Sequence, residues 1–94
     1  MNEPLSPGAA KALIVQILDN PAGRVEFSPH ALKAMADDNM TFEEMRATLR
    51  GGVVEPAELV RGSWRYRVRG SRKYAVVAFH SEVRTVVVTV WRTR

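Results

Sequence analysis

The chain has no cysteine, only two histidines and few aromatic residues. Without thiols there is no disulfide framework, no thiolate nucleophile and no sulfur-ligated metal. That composition favours a reducing, cytoplasmic setting. His30 and His80 stand far apart, and neither falls in an HxxE or HxH spacing, so no metal site is expected. No GxSxG elbow is present, and Gly51-Gly52 and Gly70-Ser71 are isolated turn glycines rather than a phosphate loop. No apolar run approaches the roughly 20 residues a membrane helix requires. Met1–Gly8 is polar and contains proline, unlike a signal peptide. These absences argue against a metalloenzyme, a serine hydrolase, a nucleotide-binding loop and a membrane span, and no cofactor is expected.

Acids are scarce in one half of the chain. Residues 1–58 carry five Lys/Arg against nine Asp/Glu, a net of −4. Residues 59–94 carry nine Lys/Arg against Glu82 alone, a net of +8. Eight of those nine cations are arginine, which grips phosphate in a planar fork and stacks on bases. So concentrated a positive field attracts a polyanion or an acidic protein. The bland alternative is a solvated sheet face whose charges discourage edge pairing.

At 94 residues the chain is one domain, with residues 1–5 expected to be flexible. Ser6-Pro7 opens a helix, with Ser6 as cap and Pro7 in the first turn. Leu13, Ile14, Ile17 and Leu18 form its apolar stripe, and Asp19-Asn20-Pro21 ends it. Arg24–Phe27 reads as a short strand. Ser28-Pro29 repeats the start signal for a helix from His30 to about Asp38, burying Leu32, Met35 and Ala36, with Asn39 as a left-handed stop. Thr41 and Glu44 make a capping box for a third helix, which buries Phe42, Met45 and Leu49 and stops at Gly51-Gly52. Val53–Val60, broken by Pro56, is a weaker strand or a loop. The order predicts an α+β domain, with N-terminal helices packed on one face of a C-terminal antiparallel sheet.

Ser63–Arg94 supplies that sheet. Trp64, Tyr66 and Val68 alternate with Arg65, Arg67 and Arg69, so the first strand has one apolar and one guanidinium face. A loop at Gly70–Lys73 places Arg69 opposite Tyr74, and a two-residue turn at Ser81-Glu82 places His80 opposite Val83. Arg65, Arg67, Arg69, Tyr74, Val76, Ala78, His80, Val83, Thr85, Val87, Thr89 and Trp91 then share one face. The apolar set on the other face must meet the helices, which leaves the cationic face open. Arg92 falls on the face opposite Trp91.

His30, His80, Tyr74 and Lys73, together with the arginines, form a metal-free acid–base set suited to cleaving RNA through its own 2′-hydroxyl. That reaction needs a base for the 2′ proton, a cation for the phosphorane and an acid for the leaving 5′ oxygen. Histidine, titrating near about 6.5, serves as either acid or base. Arg65, Arg67, Arg69 and Lys73 would bind phosphate, while Tyr74 and Trp91 would stack on bases.

Phe27-Ser28-Pro29-His30-Ala31-Leu32-Lys33-Ala34-Met35 resembles the S-x-HA-x-x-RM opening of the bacterial domain-of-unknown-function family 4258. Met40–Glu44, the helix stop at Gly51-Gly52, the Trp64-Arg65-Tyr66 strand and the closing Val86–Arg92 strand fit the same pattern. The resemblance spans about Val25 to Arg92. The family is similar to the toxin ribonucleases of toxin–antitoxin systems, of the MqsR, RelE and BrnT types. The resemblance implies a RelE/MqsR-like fold and a cofactor-free endonuclease acting on free or ribosome-bound mRNA, restrained by a cognate antitoxin or other acidic protein. It also implies a role for Arg92, which follows the aromatic Trp91. Two positions depart from the pattern: Ala34 stands where the family has arginine, and Asp38-Asn39 where it has Arg-Gly. Besides a ribonuclease, a non-catalytic RNA- or DNA-binding module and a protein-docking module fit the same basic face. Monomer and homodimer both remain open.

Overall fold

The computed structural model describes residues 1–93; Arg94, the last cation of the basic half, lies outside the described residues. Each helix begins where its cap residue dictates. Helix α1 (Pro7–Asp19) starts with Ser6 Oγ accepting from the Ala9 amide, and α3 (Phe42–Gly51) with Thr41 Oγ1 accepting from the Glu44 amide. Helix α2 (Pro29–Asp37) starts at Ser28, whose Oγ accepts from the Ala31 amide. Asn39 takes the left-handed conformation after α2, at φ 54°. The C-terminus of α3 is closed from another element. Lys11 of α1 donates from Nζ to the Leu49, Arg50 and Gly52 carbonyls, a cation placed at the negative end of the helix dipole. Burial of the ammonium, and then Arg50 beside it, push its pKa down.

Strands β1 (Arg24–Phe27), β2 (Val53–Val54), β3 (Glu58–Val60), β4 (Ser63–Arg69), β5 (Lys73–Ser81) and β6 (Arg84–Arg92) form one sheet in the order β1-β6-β5-β4-β2, with β3 also on β4. All pairings are antiparallel except β1 with β6. The fold is therefore α+β, with helices mostly early and strands mostly late in the chain. Tyr66, Val68, Ala75, Val77, Val87 and Val90 from the sheet meet Ile14, Ile17, Ala31, Met35, Met45 and Leu49 from the helices in a single core. Tyr66 is fully buried and stands 5.1 Å from the Phe79 ring. Its hydroxyl donates to Glu3 and accepts from the Leu5 amide. The first residues, expected to be loose, are thus tied to the middle of the sheet. Burial pushes the Tyr66 phenol above its ordinary range.

Arg69 sits opposite Tyr74, as the turn chemistry predicts. The β5–β6 hairpin differs. Its loop is Glu82-Val83, with Ser81 opposite Arg84, not Ser81-Glu82. Two irregularities then offset one another: His80 is an extra residue on β5, and Val88 is an extra residue on β6. Between them Thr85 and Val87 turn inward to full burial, although strict alternation from the expected turn puts them outside. Beyond Val88 the expected faces return, with Trp91 outward and Arg92 on the helix side. The Val88 bulge is held by Ser28, which donates its hydroxyl to the Val88 carbonyl at 2.6 Å and its amide to Val87. Val53–Val60 resolves into two short strands about Pro56, and β3 turns into β4 through Arg61-Gly62, both at positive φ. That is the left-handed pair a two-residue hairpin requires. Leu32, Ala36 and Phe42 are exposed rather than buried; Phe42 packs edge-on against Phe27 instead.

Candidate nucleic-acid interface

The open face of the sheet gathers its functional groups at one end. Tyr74 and Trp91 are directly opposed across β5 and β6. Their rings stack with centroids 5.0 Å apart and planes 2° from parallel. Arg67, two residues toward the middle of β4 from Arg69, lays its guanidinium 5.3 Å from the centre of the Trp91 ring. Arg67 and Arg69 reach one carboxylate, Glu55, at 3.9 and 3.3 Å. The Glu55 amide donates to the Arg67 carbonyl, so the acid is tethered beside the cations. Two guanidiniums on one carboxylate leave a net positive charge next to an aromatic stack. Arg65 lies farther along β4, bonds Ser63 Oγ through Nε at 3.2 Å, and shares a narrow cleft with Glu55, Glu58 and Arg67.

Lys73 and Arg92 precede Tyr74 and follow Trp91 in sequence, so their side chains take the other face. They are direct cross-strand partners and converge on Glu44 of α3, at 3.5 and 3.4 Å. Partial burial pushes the Glu44 pKa up. Hydrogen bonding and charge from Lys73, with bonds from Thr41, outweigh it and hold the carboxyl below the ordinary carboxylate range. An open cleft of about 680 Å³, lined by Ser71, Arg72, Lys73, Arg92 and Thr93, continues from this cluster around the strand ends. Two cations again face one acid, and Arg72 adds a third.

Of the residues singled out from sequence, Arg67, Arg69, Tyr74 and Trp91 come together on the open face, with Lys73 and Arg92 just behind them. The histidines do not join them. His80 is six residues from Tyr74 on β5, about 20 Å along an extended strand. It lines a separate cleft with Met1, Glu3, Phe79, Ser81, Glu82 and Val83, which contains none of the sheet arginines. His30 is exposed in the first turn of α2, in the helical layer. Two participants escaped sequence reasoning: the counter-carboxylates Glu55 and Glu44. Glu44 was visible only as a capping residue, and nothing in the sequence near Glu55 marks it as a partner of arginines more than ten positions away. Comparison of this chain with protein-family models, with curated proteins and with solved structures finds no match.

Proposed function

We propose that the Tyr74–Trp91 end of the sheet binds single-stranded RNA, and that metal-independent endonucleolytic cleavage of the toxin type takes place there. The observation that carries RNA binding is the Arg67–Trp91–Tyr74 stack set among unbalanced arginines. Sequence-tolerant recognition of single strands uses this combination: aromatic faces for bases beside guanidiniums for phosphates. Cleavage rests on the resemblance to the toxin ribonucleases and on the chemistry gathered at the strand ends. The 2′-hydroxyl would lose its proton to a base, its oxygen would attack phosphorus, and the bond to the 5′ oxygen would break as that oxygen takes a proton. The products are a 2′,3′-cyclic phosphate and a 5′-hydroxyl. Arg67 and Arg69, on the same face as Tyr74, would hold the flanking phosphates and offset charge on the phosphorane. Because the histidines stand away from this end and Lys73 takes the other face of the sheet, proton transfer at the stack falls to the Tyr74 hydroxyl and to water.

A second reading, a binding module without catalysis, draws support from the same separation of the histidines and from Ala34 at the family's arginine position. One experiment separates the two. End-labelled single-stranded RNA is incubated with the protein in chelator, beside an Arg67→Ala/Trp91→Ala variant. Discrete cleavage, lost in the variant, supports the nuclease. Intact but gel-retarded RNA, with affinity falling steeply in salt, supports the binding module. The absence of both cleavage and retention overturns a free RNA-directed role and turns attention to ribosome-bound mRNA or to an acidic protein partner.

A further inference from the structure

Glu44 occupies a position for which its capping role does not account. The capping box needs only the side chain's reach to the start of α3, and a glutamine satisfies it equally. The charge is directed elsewhere, at Lys73 and Arg92 together. These two cations are adjacent across the β5–β6 ladder, at the rim of a cleft that also carries Arg72 and the side chains of Ser71 and Thr93. A second open cleft, lined by Glu44, Thr48, Gly52, Gly70 and Lys73 among others, also borders the carboxylate. A ligand oxyanion therefore has access to the cations that Glu44 now neutralises. All three side chains keep about a third of their surface exposed. Ion pairs at such exposure are weak and exchangeable.

We propose that Lys73 and Arg92, with Arg72, form a phosphate subsite that the Glu44 carboxylate fills intramolecularly, so that Glu44 is a built-in brake on anion binding. The inference rests on the ligand being a phosphate-bearing molecule, as in the RNA reading above, but not on cleavage. A bound phosphate replaces one oxyanion, the carboxylate, with another. The contacts are exchanged rather than added, and the brake lowers affinity without abolishing it. The subsite lies behind the Tyr74–Trp91 stack, around the strand ends, so a strand lying over the aromatic pair would bring its next phosphate to it.

The test uses the full chain labelled with nitrogen-15 and titrated with inorganic phosphate, monitored at the Lys73 and Arg92 signals. Glu44→Gln keeps the cap and the volume and removes the charge. It is expected to bind phosphate about twofold to thirtyfold more tightly than the wild type, the range that two weak surface pairs imply. Glu43→Gln makes the same charge change one residue away on the exposed side of α3 and is expected to match the wild type. Adding Arg92→Ala to Glu44→Gln is expected to cancel the gain. Equal binding by Glu44→Gln and wild type overturns the proposal, and so does an equal gain in Glu43→Gln, which would be a bulk charge effect. Gel retardation of single-stranded RNA by the same variants keeps the two ideas apart. If none retains RNA while Glu44→Gln gains phosphate, the subsite stands and the RNA reading falls. If all retain RNA equally and phosphate binding is unchanged, the RNA reading stands and the brake falls.

Discussion

The two faces of β4 show how differently one strand can be used. Tyr66 and Val68 are wholly buried and meet the helices, whereas Arg67 and Arg69 on the reverse side are exposed and share a single carboxylate. Inward groups have every partner inside the fold, down to the Tyr66 hydroxyl held by Glu3 and Leu5. Outward groups have fewer acidic partners than charges. A face with satisfied groups stabilises; a face with surplus cations is available to a ligand. Substitutions on the two faces should therefore separate stability from binding.

The largest expected effect comes from the inner face. Tyr66→Ala removes a buried ring that touches Phe79 and frees the N-terminal residues, and should cost about 3–5 kcal/mol of stability, read from denaturant unfolding. Gly52→Ala should follow, at about 1–3 kcal/mol, because an added Cβ would lie 2.6 Å from the Thr48 carbonyl oxygen and 2.7 Å from Val68 Cγ1. On the outer face the order of the two readouts reverses. Trp91→Ala should weaken single-stranded RNA binding by about 1–3 kcal/mol, measured by filter retention at fixed salt. Its unfolding midpoint should move less than that of Tyr66→Ala. If Trp91→Ala instead unfolded the chain as readily as Tyr66→Ala and left RNA binding intact, the division between the faces would be wrong.

Much of this division was legible in the sequence because it follows from periodicity and local chemistry. Ser6-Pro7, Ser28-Pro29 and Thr41–Glu44 each mark a helix start through a side-chain oxygen that reaches an amide three residues on, a strictly local event. Alternation along Trp64–Arg69 separates core from surface because nothing interrupts the ladder there. The β5–β6 hairpin was less legible because His80 and Val88 each add a residue to one strand. The two insertions leave Tyr74, Trp91 and Arg92 on the expected faces and invert Arg84–Val87. Such a bulge depends on what holds it, here the Ser28 hydroxyl on the Val88 carbonyl sixty residues away. The same limit applies to the site. Arginine-rich alternation announced the cationic face, but Glu55 and Glu44 acquire their meaning only from tertiary proximity.

The smallest expected effect concerns pH, and it sharpens the comparison by separating the pairs that tie helices into the fold. Asp19 accepts from Arg50 at 2.7 Å, joining α1 to α3, and this bond, against a partial cost of burial, lowers its pKa. Glu44, bridging α3 to β5 and β6, is lowered as well. Both folded-state values lie below the unfolded ones, near roughly 4 for such carboxyls. The unfolded chain therefore takes up protons first as the solution is acidified. Stability from these two groups is fully present above the unfolded pKa and is lost as pH falls through the folded values. The contribution of both groups to the denaturant midpoint should be full and constant between about pH 6 and 8 and should decline below about pH 4.5. Asp19→Asn and Glu44→Gln should each flatten that decline slightly, and the double variant should flatten it by the sum, since the pairs share no partner and distant sites add. A decline of unchanged steepness in the double variant would place the acid sensitivity in other carboxylates, and the helix-to-sheet tie through Glu44 would then matter for ligand competition at Lys73 and Arg92 rather than for stability.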